Sequence, residues 1–340
     1  MIELRGDRLV FSFPEVHPSA RFTVGFQRTL RIPDDGAEYP LPAGLGWFPL
    51  RHVDDHADTV PASWLARGGV ILPMHQAEAL WLSFDAGYPM AVKVAAGKIN
   101  AVSGKEWSTR LHGPKNSPTG YRARAAHRQD YVVLPEQPWL DGFNVATGQI
   151  RQFVAMPLGG GHTAEEQITG RAEVGGIQLL AYPLKADLYT EPPTMYRSAD
   201  PGMVLMAAAP PDMGLGLGGL MRQDIEADPH GTGGWDLEHP ARCFIHLANA
   251  EQWQAITGDS LPTAPISPAD YARHGIPWFD YAAPGPKAPG SDTLAKLKTI
   301  AEVEQDAGRA MTDDGPIPID RIRRLPTRRG NSVREDRDLG

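Results

Sequence analysis

The sequence predicts a mainly β chain: an antiparallel sandwich or irregular barrel with an α+β C-terminal portion and a disordered charged tail. Three observations carry this. Short β-branched or aromatic runs recur through the first 190 residues, most of them ending at Pro, Gly or Asp. Helical periodicity is scarce there, which argues against alternating βα units. Gly 36 and Pro 32 make up a fifth of the 340 residues, enough to punctuate many short strands yet below the level of low-complexity disorder.

The strands are expected at residues 8–13, 21–32, 69–72, 91–94, 131–134, 150–156 and 176–180. From 201 to 282 the texture becomes α+β, either completing the same body (1–200) or forming a small second domain. Strands are expected at 220–225 and 242–247, and helices at 251–257 and 267–274. In the latter, Ser267-Pro268-Ala269-Asp270 supplies a hydroxyl cap, a first-turn proline and an acid. Residues 201–221 hold one charge, Asp212, and so imitate a membrane span, but Pro210-Pro211 and Gly214, Gly216, Gly218 and Gly219 argue against a helix in lipid. A short strand at 202–208 followed by a glycine-rich loop is expected instead.

The Pro/Gly run 283–290 predicts a linker out of the body. Beyond it, residues 291–340 carry 10 Lys+Arg and 10 Asp+Glu and no aromatic residue, too little apolar surface to offset ordering entropy. Ser291 is expected to cap one short helix with Leu294, Leu297, Ile300 and Val303 on a stripe ending near Gly308. The remainder is expected to be disordered.

A net charge of -8 argues against nonspecific nucleic-acid binding by the body, which needs a basic face. One cysteine, Cys243, excludes an intramolecular disulfide and a thiolate metal cage, and fits a reducing compartment. Charges interrupt the first eight residues, so no secretory signal is expected and the cytoplasm is the expected location. No cofactor is expected.

Four constellations offer chemistry. His52-Val53-Asp54-Asp55-His56 places two imidazoles four apart, so His52, Asp55 and His56 form a candidate metal set if the segment is helical; a solvated acidic loop is the competing reading. Gly159-Gly160-Gly161-His162-Thr163-Ala164-Glu165-Glu166 places Gly160 and Gly161 as ligand-lining backbone and His162, Glu165 and Glu166 as acid–base candidates. The competing reading is a glycine hinge in which Thr163 caps a helix and Glu166 closes the capping box. The glycine run 214–219 lacks the strand-to-helix context of a dinucleotide fold. Trp139-Leu140-Asp141-Gly142-Phe143 and Trp278-Phe279-Asp280-Tyr281 pair aromatic faces with carboxylates, the ingredients of a sugar platform, with Trp139 as ligand-binding and Asp141 as acid candidate. Cys243, in an alternating strand, reads as a buried structural thiol.

The runs 69–84, 152–170 and 243–281 resemble an uncharacterised family of soluble bacterial proteins, a resemblance that implies no activity and no residue roles. The segment 105–128, with eight Lys, Arg or His, and the tail 291–340 point to a protein partner or a homo-oligomer. The functional expectation is a cytoplasmic, non-catalytic binding or assembly protein. The alternative is an enzyme or a small-ligand or glycan binder with a glycine-lined pocket using His162, Glu165 and Asp141.

Overall fold

The computed structural model describes residues 1–113, 129–190, 212–260, 263–281, 285–311, 315–319 and 321–325. Their backbone is mainly antiparallel β: seventeen strands in one hydrogen-bonded sheet and three in a second. From the N-terminal edge, Ile2–Arg5 pairs with Arg8–Ser12, which pairs with Arg21–Thr29, which pairs with Ala79–Ala86. Gln149–Pro157 follows, then Met213–Arg222, which touches Ala241–Asn249. Ala241–Asn249 continues to Ile177–Pro183, Met90–Ala96 and Val132–Leu134. The chain leaving Val132–Leu134 forms Trp139–Leu140, which pairs with Ala79–Ala86 again. Parallel pairs join Ala241–Asn249 to Val70–Met74 and Met213–Arg222 to Glu38–Tyr39.

Period-two alternation explains which residues meet inside. Phe22, Val24 and Phe26 of one strand and Leu80, Leu82 and Phe84 of its neighbour enter the main core, together with Leu140, Phe153, Leu179, Leu215 and Ile245. Each such side chain contributes about 1.5–3 kcal/mol on leaving water. Met213, Trp235, Cys243 and Leu247 belong to the same cluster. The expected helices are present at Ala250–Thr257, capped by Asn249, and at Pro268–Arg273, capped by Ser267 with proline in the first turn.

Where regular pairing stops, buried glutamines take its place. Gln152 Nε2 donates to the Leu30 carbonyl while its Oε1 accepts the Ile32 N–H. Gln129 bonds the Glu226 carbonyl and the Asp228 N–H; Gln137 bonds the Asp224 carbonyl and the Glu226 N–H. Each primary amide thereby acts as a spare peptide group, satisfying backbone that a packed interior would otherwise leave without partners.

Three expectations are corrected. Gly214, Gly216, Gly218 and Gly219 are not in a loop but in the ten-residue strand Met213–Arg222. Their missing side chains admit neighbours directly onto the backbone: a Cβ at Gly216 would lie 2.6 Å from the His162 carbonyl, and one at Gly219 2.3 Å from the Pro33 carbonyl. Nor does the chain leave the body at 283–290. Ala288 is buried and its N–H bonds the Ile225 carbonyl, and Ser291 N–H bonds the Asn144 carbonyl. Finally, the single helix expected after Ser291 is two pieces. Ser291 accepts the Leu294 N–H at the 3-10 turn Leu294–Lys296, the backbone extends at Leu297, and Thr299 caps Ile300–Asp306 with a full capping box. Leu294 enters the main core and Ile300 a separate cluster with Val154 and Met156, two destinations that one straight stripe does not reach. The expected strand at 202–208, most of the 105–128 segment and the last fifteen residues of the tail lie outside the described residues.

Candidate functional site: an aromatic corner over a buried acid

The outer side of the sheet, opposite the main core, carries a row of side chains that register aligns. Gln27 pairs across the ladder with Trp81 on one side and Trp47 on the other. On the far side of Trp81, the pairs Trp139↔Ser83 and Leu140↔Leu82 place Asp141, one step further, opposite Trp81. Directly opposed residues share a face, so Trp47, Gln27, Trp81 and Asp141 run across four neighbouring segments of the chain. Glycines make room for the rings: a Cβ at Gly25 would lie 2.4 Å from the Trp47 ring, and one at Gly44 3.3 Å from the Trp81 ring. The Arg8 guanidinium packs over Trp47, 4.2 Å from the ring centroid.

Trp139 closes the arrangement into a corner. Its ring meets Trp81 edge to face at 6.4 Å and 67°, and Tyr281 at 4.8 Å and 63°. All three rings are half-buried. The backbone around Trp139 is fixed by glutamines, since Gln137 and Gln223 both donate to its carbonyl and Gln223 Oε1 accepts the Asp141 N–H.

Beneath this corner lie polar atoms with no partner. Asp141 is 1% exposed with the Trp139 side chain as its neighbour, and the buried Gln27 Oε1 and Trp81 Nε1 have no hydrogen-bond partner among the described residues. Burial pushes the Asp141 acid well above the usual carboxylate range, with the neighbouring Trp139 side chain acting in the opposite direction.

The glycine turn holds structure together. Thr163 caps Ala164–Thr169 and Glu166 closes the capping box, as the competing reading expected; Glu166 also accepts the N–H groups of Gly159 and Gly161 at 2.7 and 3.0 Å. The Glu165 carboxylate accepts the N–H groups of Val174 and Gly175 beside Gly97, and burial raises its pKa. His162 Nε2 lies 2.5 Å from Glu304, whose carboxylate also takes two bonds from Arg309. His162 Nδ1 is buried against Gly160. Asp141 shares no hydrogen-bond partner with His162 or Glu165. His52 is exposed on the short strand Arg51–His52, and Asp55 and His56 sit on a separate 3-10 turn, so the helical face needed to join them does not form. Among the described residues no group of three His, Cys, Asp or Glu side chains is arranged to hold a metal ion.

Two features escaped the sequence reading. Lys93, on the buried strand Met90–Ala96, ion-pairs with Asp130 at 2.8 Å and donates to the Arg110 carbonyl; His112 Nδ1 lies 2.9 Å from the same carboxylate. With the Tyr182 hydroxyl bonded to the Thr109 carbonyl, these groups pin residues 109–112 to the sheet. The signal was a lone lysine inside the apolar run Ala91-Val92-Lys93-Val94. The second is an open cleft of ≈ 610 Å³ lined by Glu15, Asp187, Asp236, Glu238, Lys185 and the buried Trp235. It is assembled from three distant segments, which no local pattern announces.

No helix among the described residues is long and apolar enough to cross a membrane. Comparison with protein-family models, curated proteins and solved structures returns no match for this chain.

Proposed function

We propose that this chain is a non-catalytic binding protein that receives a ring-bearing ligand in the corner formed by Trp81, Trp139 and Tyr281. The observation that carries the reading is the pair of edge-to-face contacts that set these half-buried rings at 67° and 63°. Aromatic side chains offer large contact area and little conformational freedom to lose, which is why they anchor ligands. The internal bonding of His162, Glu165 and Glu166 supports a binding rather than a catalytic role, because each group already serves its own fold. The lone buried thiol Cys243 fits action in the cytoplasm. Self-association or a protein partner engages the charged 105–128 and 291–340 segments, a point that light scattering on the full chain and on a chain truncated after 325 tests.

A neutral planar dye, N-phenyl-1-naphthylamine, probes the corner directly. Its fluorescence should rise saturably with one site per chain, and Trp139→Ala should weaken that binding about tenfold or more while far-ultraviolet circular dichroism is unchanged. Equal affinity in the two proteins, or no saturable binding, overturns the reading.

A further inference from the structure

We propose that the open edge of the strand Ile2–Arg5 pairs antiparallel with the same edge of a second copy of this chain, making a two-fold dimer through one continuous sheet. The surface uses none of the residues of the aromatic corner or of the segments 105–128 and 291–340. Ile2–Arg5 pairs with Arg8–Ser12 on one side, and among the described residues no strand pairs with its other side. Met1 and Ser12 exchange two hydrogen bonds, Ser12 N–H to the Met1 carbonyl at 2.9 Å and the Met1 amino group to the Ser12 carbonyl at 2.8 Å. Antiparallel ladders alternate, so Glu3 and Arg5 bond inward while Ile2 and Leu4 direct their N–H and C=O groups at the open edge. The strand has neither the proline nor the bulge that commonly blocks further pairing.

The side chains at this edge are also unfinished. Leu4 heads the cross-strand row Leu4, Leu9, Val24 and Phe84, and Ile2 the row Ile2, Phe11, Phe22 and Ala86. The inner members of both rows are in the main core, whereas Ile2 and Leu4 are only partly buried against it. On the opposite face the Glu3 side chain is 41% and that of Arg5 67% exposed. Arg5 Nε donates to Glu3 at 2.8 Å, and Arg5 has Arg8, a like charge, directly across the hairpin.

Charge fixes the occupant and its register. Outward backbone groups must meet outward backbone groups, so Leu4 faces Ile2, Leu4 or Gly6 of the second copy. The first arrangement sets the two Glu3 carboxylates opposite one another and the last the two Arg5 guanidiniums, both unfavourable. Leu4 on Leu4 instead sets each Glu3 opposite Arg5 of the other copy. Two cross-copy ion pairs then form in the closer, non-hydrogen-bonded positions, and the Leu4–Leu9–Val24 row continues into the second chain. An edge that is its own complement in a single register selects a second copy over an unrelated strand.

Sedimentation equilibrium of the full chain between about 1 and 300 µM tests the pairing. The parent should show a reversible monomer–dimer equilibrium. Glu3→Arg and Arg5→Glu each oppose like charges and should weaken the dimer about tenfold or more, with circular dichroism unchanged because both side chains are exposed. An equimolar mixture of the two variants should restore dimer of parent strength, since each supplies the complement that the other lacks. A monomer throughout the range, a dimer as strong in both variants as in the parent, or a mixture no stronger than the separate variants overturns the proposal.

Discussion

Gln152 and Ile32 are bonded as two strand residues would be, although a side chain makes the pair. Gln152 Oε1 accepts the Ile32 N–H at 2.8 Å and its Nε2 donates to the Leu30 carbonyl at 2.9 Å, in a setting where Gln152 is 1% exposed. The contact carries the chain from Arg21–Thr29 over the outer face of the sheet toward the cluster of Ile32, Tyr39, Ile150 and Met221. Gln152→Leu should leave a buried N–H and a buried C=O without partners. At about 1–3 kcal/mol for each, the expected loss is about 2–6 kcal/mol, read as a lower urea midpoint. A change under about 1 kcal/mol would mean that the amide is not a structural substitute for pairing.

Asp141 makes stability depend on alkalinity. Its native pKa is raised by burial above the ordinary 3.8, so the folded chain keeps a proton that the unfolded chain releases. The native state then binds more protons, and unfolding free energy falls as pH rises from the unfolded pKa toward the native one. Asp141→Asn should become progressively more stable relative to the parent in urea titrations as pH rises above about 4. A difference that stays constant with pH would show that the carboxyl is ionised in the native state.

Glu304 has the opposite sign. Arg309 foremost, with help from His162, holds its carboxyl down to about 2 against an ordinary 4.5. The stabilisation is therefore complete above about 4.5 and is lost as pH falls toward 2. Glu304→Gln should lower the urea midpoint at pH 6, and the gap to the parent should narrow by pH 3. Since Glu304 lies on Ile300–Asp306, the variant should also speed amide hydrogen exchange in that helix before the rest of the sheet.

Cys243 should be chemically silent in the folded chain. Burial in the strand Ala241–Asn249 pushes its thiol up to about 12, so thiolate is scarce at neutral pH and the sulfur is covered. A disulfide reagent such as dithionitrobenzoate should titrate about one thiol in urea and almost none without it. Fast reaction in buffer would contradict the buried assignment.

Much of the sheet was legible because period-two patterning is local. Arg21–Thr29, Gln149–Pro157 and Ala241–Asn249 fall where β-branched and aromatic runs placed them. Ala79–Ala86, which pairs on both sides near the site, was missed because Ala-Leu-Trp-Leu-Ser-Phe-Asp-Ala holds no Val, Ile or Thr, although its alternation is clean. The glycine strand Met213–Arg222 misread as a loop because glycine's low β propensity reports solvent-facing strands, whereas here the neighbours at His162 and Pro33 require bare backbone. At the site, Trp139, Asp141 and Tyr281 were visible as aromatic–acid runs. Trp81 and Gln27 were not, because only pairing between distant strands brings them beside Asp141. The capping box at Thr163 and Glu166 was readable from four consecutive residues, whereas the Glu304 partner of His162 lies 142 residues away.

The most direct test of the binding account is the indole N–H region of a proton–nitrogen correlation spectrum, recorded on the full chain with each tryptophan assigned by substitution to Phe. The chain has eight tryptophans. Titration with N-phenyl-1-naphthylamine should move the signals of Trp81 and Trp139 and leave the buried Trp64, Trp235, Trp253 and Trp278 in place. Shifts confined to the buried tryptophans, or none at saturating dye, would contradict a ligand site at the Trp81–Trp139–Tyr281 corner.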